Sequence, residues 1–410
     1  MISSYRKTII VIFFILISLL LGFFIFYFFF YSPAVAPVIT PIEPDLEIIT
    51  GLPETTEGER VEYDIEVVET IEDISAEELH LSEIATGGIT KTANLYESPL
   101  YESALAPNGQ DIVSYDKITG KFIRITADGR VDLMSDKIFH NVEKVTWSPN
   151  KDIAILEYPD GANISYNFIT KKQITLPKHW QDFSFSPANN KIVAKSISEY
   201  PEHNWLITSN IDGSDIKAIE HLGENGDNVY TSWSPNNQVI AMYAESKDFN
   251  SQKLFFFGPN DEKHPLTMIE GYNFESKWTK TGDKLLYNVY NSASNFKPTL
   301  WTVVTSGENF SRYRKKLDVQ TWSNKCAFAS NEYIYCAVPE SLPDGSGIYP
   351  EVADQIPDNI YKINIATGAK KIIARPEDNA VISEIIISED EKYLYYTDKN
   401  TGMLKKMLLK

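Results

Sequence analysis

Only two cysteines, Cys326 and Cys336, occur in the 410 residues. That excludes a disulfide-scaffolded mini-domain, and two cysteines at this separation lack metal-site spacing. No Gly-x-Ser-x-Gly pentapeptide is present, so the chain has no nucleophile elbow. It also lacks a P-loop and a dinucleotide-binding glycine fingerprint. The six histidines (His80, His140, His179, His203, His221, His264) are scattered and form no ligand-like pair. Asp344-Gly345-Ser346-Gly347 lacks the alternating carboxylates of a calcium loop and reads as a turn. No catalytic residue, cofactor or metal is therefore expected. Bases are outnumbered, with a net charge of −18, which makes duplex nucleic acid a poor partner.

The acidity is uneven. Between Ser32 and Glu83 fifteen acids face one base, Arg60, and prolines 33, 37, 41, 44 and 53 interrupt regular structure. A like-charged, proline-containing segment repels itself and stays extended, reaching on the order of 100 Å at ~3.3 Å per residue. Within it, Val61–Glu69 alternates apolar and acidic residues and is compatible with an edge strand. Before it, Thr8 to Tyr31 reads TIIVIFFILISLLLGFFIFYFFFY without a charge, long enough to cross a bilayer as a helix. Arg6 and Lys7 precede that run and no base follows until Arg60, so everything after Tyr31 is expected outside the cytoplasm. A cleaved leader is the alternative, with Ala34-Val35-Ala36 as the cleavage-like triplet. The apolar core is long for a leader, and Pro37 would follow the cut. The expected organisation is an anchor over residues 1–31, an acidic stalk over 32–83 and a folded domain over 84–410, held at the cell membrane with that domain on the extracytoplasmic side.

What is abundant is aromatic: 23 Tyr, 21 Phe and 7 Trp, a composition that favours strands. A short apolar run ending in Trp147-Ser148-Pro149-Asn150 is followed by a second apolar run, and the arrangement returns at Phe185-Ser186-Pro187 and Trp233-Ser234-Pro235. Looser copies are centred on Ala106, Trp278, Phe328 and Ile387. From Ala106 the intervals are 41, 38, 48, 45, 50 and 59 residues, giving seven units. Units of this length holding four short strands predict an all-β, seven-bladed propeller. In that reading the aromatic ends the innermost strand and packs between blades, and the proline stops the strand because it has no amide to donate. The last unit is one strand short, and Gly87–Glu97 is a suitable donor from the other end of the domain.

The pattern W-S-P-N-x-x-x-I-A resembles the repeats of TolB-like, more broadly WD-repeat-like, propellers, which also form the propeller of prolyl-oligopeptidase-type peptidases. The segment Lys325–Pro343 is similar to membrane-anchored bacterial proteins of this class. The resemblance covers about Glu83 to Lys410. It implies the seven-bladed fold, an exported location and a binding or gating role, and it carries no catalytic residues with it.

Three functions fit these observations: a scaffold that binds a protein or peptide, which is favoured; a cell-wall or glycan-binding module; and a propeller enzyme with carboxylates converging in the channel. The third cannot be argued from fold alone. A monomer is expected. The loops joining second to third strands are short in units one, two and seven (Asp116–Lys121, Pro159–Asn163, Asp398–Gly402). They read as longer in units three to six, at Ser198–Trp205, Glu245–Gln252, Val289–Pro298 and Pro339–Asn359. Such loops share one face and here carry Tyr200, His203, Phe249, Tyr290, Phe296 and Tyr349, residue types that anchor interfaces. Cys326 and Cys336 lie five residues either side of Asn331, so a hairpin turning there would set them opposite each other, within disulfide reach in an oxidising compartment.

Overall fold

In the computed structural model, residues 16–18, 20–21 and 81–410 are described. Most of the expected anchor and of the expected stalk, including Val61–Glu69, lies outside them. Among the described residues no helix is long and apolar enough to cross a membrane.

Residues 81–410 form largely antiparallel sheets, and their only helical segments are short 3-10 turns. Four sheets have four strands and one has five, and each of these five stands as a separate blade. The sixth sheet has seven strands. The seven expected units therefore do not give seven separate sheets. The cause is one continuous strand, Thr92–Leu105, which carries no break where two units meet. Its first residues pair with Met403–Leu408 and its last with Ile112–Asp116, fusing the end of the chain to the first unit. The donor segment expected to complete the last unit does so. It also supplies Ile89–Thr90, which adds to the unit-six sheet in parallel, a pairing that sequence reasoning missed.

The sheets close into a ring through their first strands. Thr92–Leu105 touches Lys144–Trp147, which touches Trp180–Phe185, which touches Val229–Thr231. On the other side Cys326–Phe328 touches Ile382–Ile387, which returns to Thr92–Leu105. Tyr272–Trp278 fills the gap: Trp278 donates its indole N–H to Ser232 Oγ at 2.8 Å, and the strand touches the turn Ser323–Lys325.

The recurring Ser-Pro motif is a turn device. At Ser148 the backbone N–H donates to the carbonyl of Ile153 and the carbonyl accepts from Lys151. The same pair of bonds recurs at Ala106, Ser186, Ser234, Thr279 and Ser388. The hydroxyl accepts the amide five residues on at Ser148, Ser186, Ser234, Thr279 and Ser388, which satisfies a donor the turn would otherwise orphan. The residue three positions on is left-handed each time (Gly109, Lys151, Asn189, Asn237, Gly282, Glu391), which is why Gly and Asn cluster there. This register makes Ala106 the equivalent of Ser148, so Leu105, one residue before the expected Ala106, occupies the aromatic place in unit one.

The aromatics pack between blades as expected. Trp147 lies against Phe122 and Phe168, each at 5.5 Å between ring centres, within a cluster that joins the first two units. Its indole N–H also donates to the carbonyl of Glu102 in the preceding unit at 2.7 Å. The repeat thus contributes a specific hydrogen bond as well as apolar area.

Candidate functional site

The loops on the expected binding face behave unequally. In unit five, residues 291–298 form a true loop whose 3-10 turn Ser292–Ser294 is closed by an Asn291 capping box. In unit six, residues 340–357 form the longest connection, carrying the turn Pro350–Ala353. Unit three has residues 197–204 with the turn Pro201–His203. Unit four departs from the expectation. Ala241–Asp248 and Ser251–Phe257 run on to a tight turn, with Asp248 paired to Ser251, so Phe249 sits on a hairpin tip rather than a long loop. The polar string ESKDFNSQ is an exposed ribbon, and its composition alone did not distinguish ribbon from loop.

Four of the six proposed interface residues fall on or beside three connections that are bonded together. Phe249 and Phe296 rings are 6.3 Å apart, as are Tyr290 and Phe296. Ser292 Oγ donates to Asn250 Oδ1 at 2.9 Å, tying unit five to unit four. The backbone N–H groups of Gly345 and Gly347 donate to the carbonyls of Asn295 and Phe296 at 2.9 and 2.7 Å, tying unit six to unit five. Lys297 pairs with Asp344 at 3.1 Å across the same seam, and Asp344-Gly-Ser-Gly is the turn it was expected to be. A Cβ on Gly347 would lie 2.6 Å from Tyr290 Cβ, so this close approach requires glycine. Asn295 and Phe296 are both left-handed, at φ 53° and 56°, a costly conformation for phenylalanine that the flanking bonds hold in place. Phe249 is 74% exposed and Tyr349 60%, while Tyr290 and Phe296 are half-buried. Tyr200, 61% exposed, and His203 pair with each other at 6.2 Å on the unit-three loop. Among the described residues they share no hydrogen bond or ring contact with that cluster.

Sequence reasoning missed a second feature. Four residues before each turn residue stand Glu102, Lys144, Asp182, Tyr230, Glu275, Lys325 and Glu384, one per unit, on or just before the ring-forming first strands. They influence one another from neighbour to neighbour. Lys144 pairs with Asp182 at 2.8 Å and Asp182 with Lys195 at 2.6 Å. Partial burial pushes Glu102 up to about 7, helped by the charge of Glu384 and opposed by Lys144. Burial also raises Glu384 and Glu275, with Lys277 opposing in both cases. Lys277 is itself lowered by burial and donates to the carbonyls of Asn324 and Cys326, both at 3.0 Å. Tyr230 is raised by burial and by Glu275. The signal was present in the sequence, but it is one polar residue per 38 to 59, of changing type, and it shows only when the units are aligned on the turn.

Glu102 and Asp182 are left-handed, at φ 51° each, inside β-bulges, so the backbone re-aims these side chains. Chemically, several carboxylates and ammoniums share a partly desolvated ring, an arrangement able to bind polar groups or exchange protons. Among the described residues no group of three or more His, Cys, Asp or Glu side chains is placed to hold a metal ion.

Cys326 and Cys336 are directly opposed across Cys326–Phe328 and Tyr333–Pro339, with Cα atoms 4.1 Å apart and the sulfurs bonded. The short Cα spacing is that of a non-hydrogen-bonded pair. Both are fully buried among Leu286, Leu300 and Ile334.

No protein-family model matches this sequence, and no curated protein matches it. Solved structures do. The chain is similar to an oligogalacturonate lyase solved in complex with manganese, with 11% identity, 81% of this chain and 96% of that one covered, and a TM-score of 0.56. It is also similar to the β-propeller domain of Cps50 (Swd1) from Myceliophteria thermophila, with 10% identity over 78% of this chain and all of that one, and a TM-score of 0.52. The tricorn protease matches over 78% of this chain and 34% of its own length, with 9% identity and a TM-score of 0.50. At these identities the likeness shows the β-propeller fold alone.

Proposed function

We propose that this protein is a membrane-tethered, extracytoplasmic propeller that binds a protein or peptide on the face carrying the unit-four to unit-six loops. The observation that carries the reading is the joined cluster of Phe249, Tyr290, Phe296 and Tyr349. Large aromatics stand exposed on loops that hydrogen bonds and a glycine contact hold rigid, the condition for an interface anchor with little ordering cost. Tyr200 and His203 extend the surface as a separate contact. The uncharged run Thr8 to Tyr31 supplies the tether, and the acidic stalk sets the propeller away from the bilayer. The propeller acts as a monomer. Its TolB-like character rests on the Ser-Pro turns, and it has seven blades if Thr92–Leu105 is counted twice. Support for counting it twice comes from its pairing, residues 92–99 with Met403–Leu408 and residues 100–105 with Ile112–Asp116. The test is capture of envelope proteins by the full-length chain, followed by binding of the captured partner to Phe249→Ala and Tyr349→Ala variants. Full binding by both would reject the reading.

A second reading is favoured by one observation, the adjacent Glu102 and Glu384 on neighbouring first strands. The charge of Glu384 helps hold the Glu102 carboxyl protonated near neutral pH, which is the pairing that general acid–base chemistry uses. A propeller enzyme with these carboxylates would lose activity in both Glu102→Gln and Glu384→Gln.

A further inference from the structure

The negative charge of the propeller is concentrated on the face that carries the aromatic cluster. Four connections between second and third strands, residues 197–204, 245–252, 291–298 and 340–357, open there in units three to six. The turn Gly223–Asn228 lies against Pro201–His203, so residues 222–228 join them. These five segments hold ten acids and two lysines, a net charge of −8. Residues 81–410 as a whole carry −7, because residues 1–80 account for −11 of the −18. The rest of the domain is therefore close to neutral, and its field is directed from this one face.

Three of the ten acids are neutralised locally: Glu245 by Lys253, Asp344 by Lys297 and Asp354 by Lys399. The other seven are exposed and have no ion-pair partner among the described residues. Their placement follows the aromatics. Glu199 and Glu202 flank Tyr200, Asp248 immediately precedes Phe249, and Glu351 lies two residues after Tyr349. Those three rings are the most exposed of the proposed interface aromatics, at 61, 74 and 60%. Ile348 and Val352, also exposed, add apolar area beside Tyr349. A ring face attracts a cation, and a nearby carboxylate adds a charge-assisted hydrogen bond. An anionic polymer or lipid surface is repelled by the same field.

Resting on the reading that a protein or peptide docks on this face, we propose that the docked segment is basic. It presents arginine or lysine side chains to the Tyr200, Phe249 and Tyr349 rings and their neighbouring carboxylates, with apolar residues over Ile348 and Val352. Short random peptides displayed on phage would be selected against the full-length protein in detergent at low salt, then counter-selected on a Phe249→Ala, Tyr349→Ala double variant. Peptides that the double variant fails to hold are those bound on this face, and they should combine net positive charge with apolar residues. Combined Glu199→Gln, Glu202→Gln, Asp248→Asn and Glu351→Gln replacement should weaken them about fivefold or more at low salt, and much less at ~0.5 M salt, where exposed charges are screened. Glu54→Gln, Glu57→Gln, Glu59→Gln and Glu62→Gln, combined in the stalk, should leave them unchanged. If the peptides held through Phe249 and Tyr349 are neutral or acidic, the charge inference fails and the docking face stands. If no peptide is selected, or every selected peptide binds the double variant equally, both fail. Basic peptides indifferent to the four face carboxylates, or weakened as much by the stalk replacements, would also overturn the inference.

Discussion

Lys325 sets its ammonium against both carboxylate oxygens of Asp358, at 2.7 and 2.8 Å, with both side chains buried. Asp358 also accepts the backbone N–H of Ile382 at 2.7 Å, so the pair joins the unit-six sheet to the first strand of unit seven. Burial pushes the carboxyl up and the ammonium down, and each holds the other charged. Removing one partner leaves a buried charge without a counter-ion. Asp358→Ala should therefore cost about 3–5 kcal/mol in denaturant unfolding, and replacing both residues with apolar ones of similar size should cost much less. Equal losses for the single and double replacements would contradict this account of the pair.

The Cys326–Cys336 bond closes a ten-residue separation inside the core between units five and six. A short loop places its contribution toward the low end of ~2–4 kcal/mol. Because both sulfurs are fully buried, reduction should follow unfolding rather than precede it. Mass spectrometry of natively purified protein should find neither thiol alkylatable without reductant, and alkylation of both in the folded protein would refute the bridge.

Glu102 gives a pH dependence with a definite sign. Its folded pKa of about 7 lies above the ordinary carboxylate value, chiefly through burial and then through the charge of Glu384. A raised folded value contributes stability below about pH 4.5 that is lost as pH rises through about 7. Relative to wild type, Glu102→Gln should therefore gain stability progressively between pH 5 and pH 8. A difference that stays flat with pH, or grows toward acid, would show that Glu102 titrates normally.

Much of this architecture is legible in the chain, for a physical reason. Ser148, Ser186 and Ser234 each cap the same turn with the same hydroxyl bond, so the repeat is written in residues that cannot be exchanged freely. The Cys326–Cys336 pairing is local and follows from hairpin symmetry. Gly87–Glu97 was legible as a donor to the last unit, but not that the strand runs on unbroken through Leu105 into the first unit and so merges the two sheets. The polar ring was invisible for another reason: its members are brought together by ring closure alone, and Glu102 and Glu384 are neighbours only because the chain ends meet.

The aromatic cluster separates stability from binding. Phe249, Tyr349 and Tyr200 are more than half exposed, so their alanine variants should unfold within about 0.5 kcal/mol of wild type. Phe296 is half-buried against Tyr290 and Phe249, and Phe296→Ala should cost stability as well as binding. Thermal unfolding of the four variants side by side would show this, and a loss at Phe249 as large as at Phe296 would contradict the rigid-platform picture.

The central claim is that a partner docks on this one face. The most direct measurement compares the affinity of a partner captured by the full-length protein for Tyr200→Ala, Phe249→Ala, Tyr349→Ala and Ile118→Ala, the last on a short loop outside the cluster and 71% exposed. The account predicts losses of about tenfold or more at Phe249 and Tyr349, a smaller loss at Tyr200 and none at Ile118. Equal binding by all four, with folding intact, would contradict it.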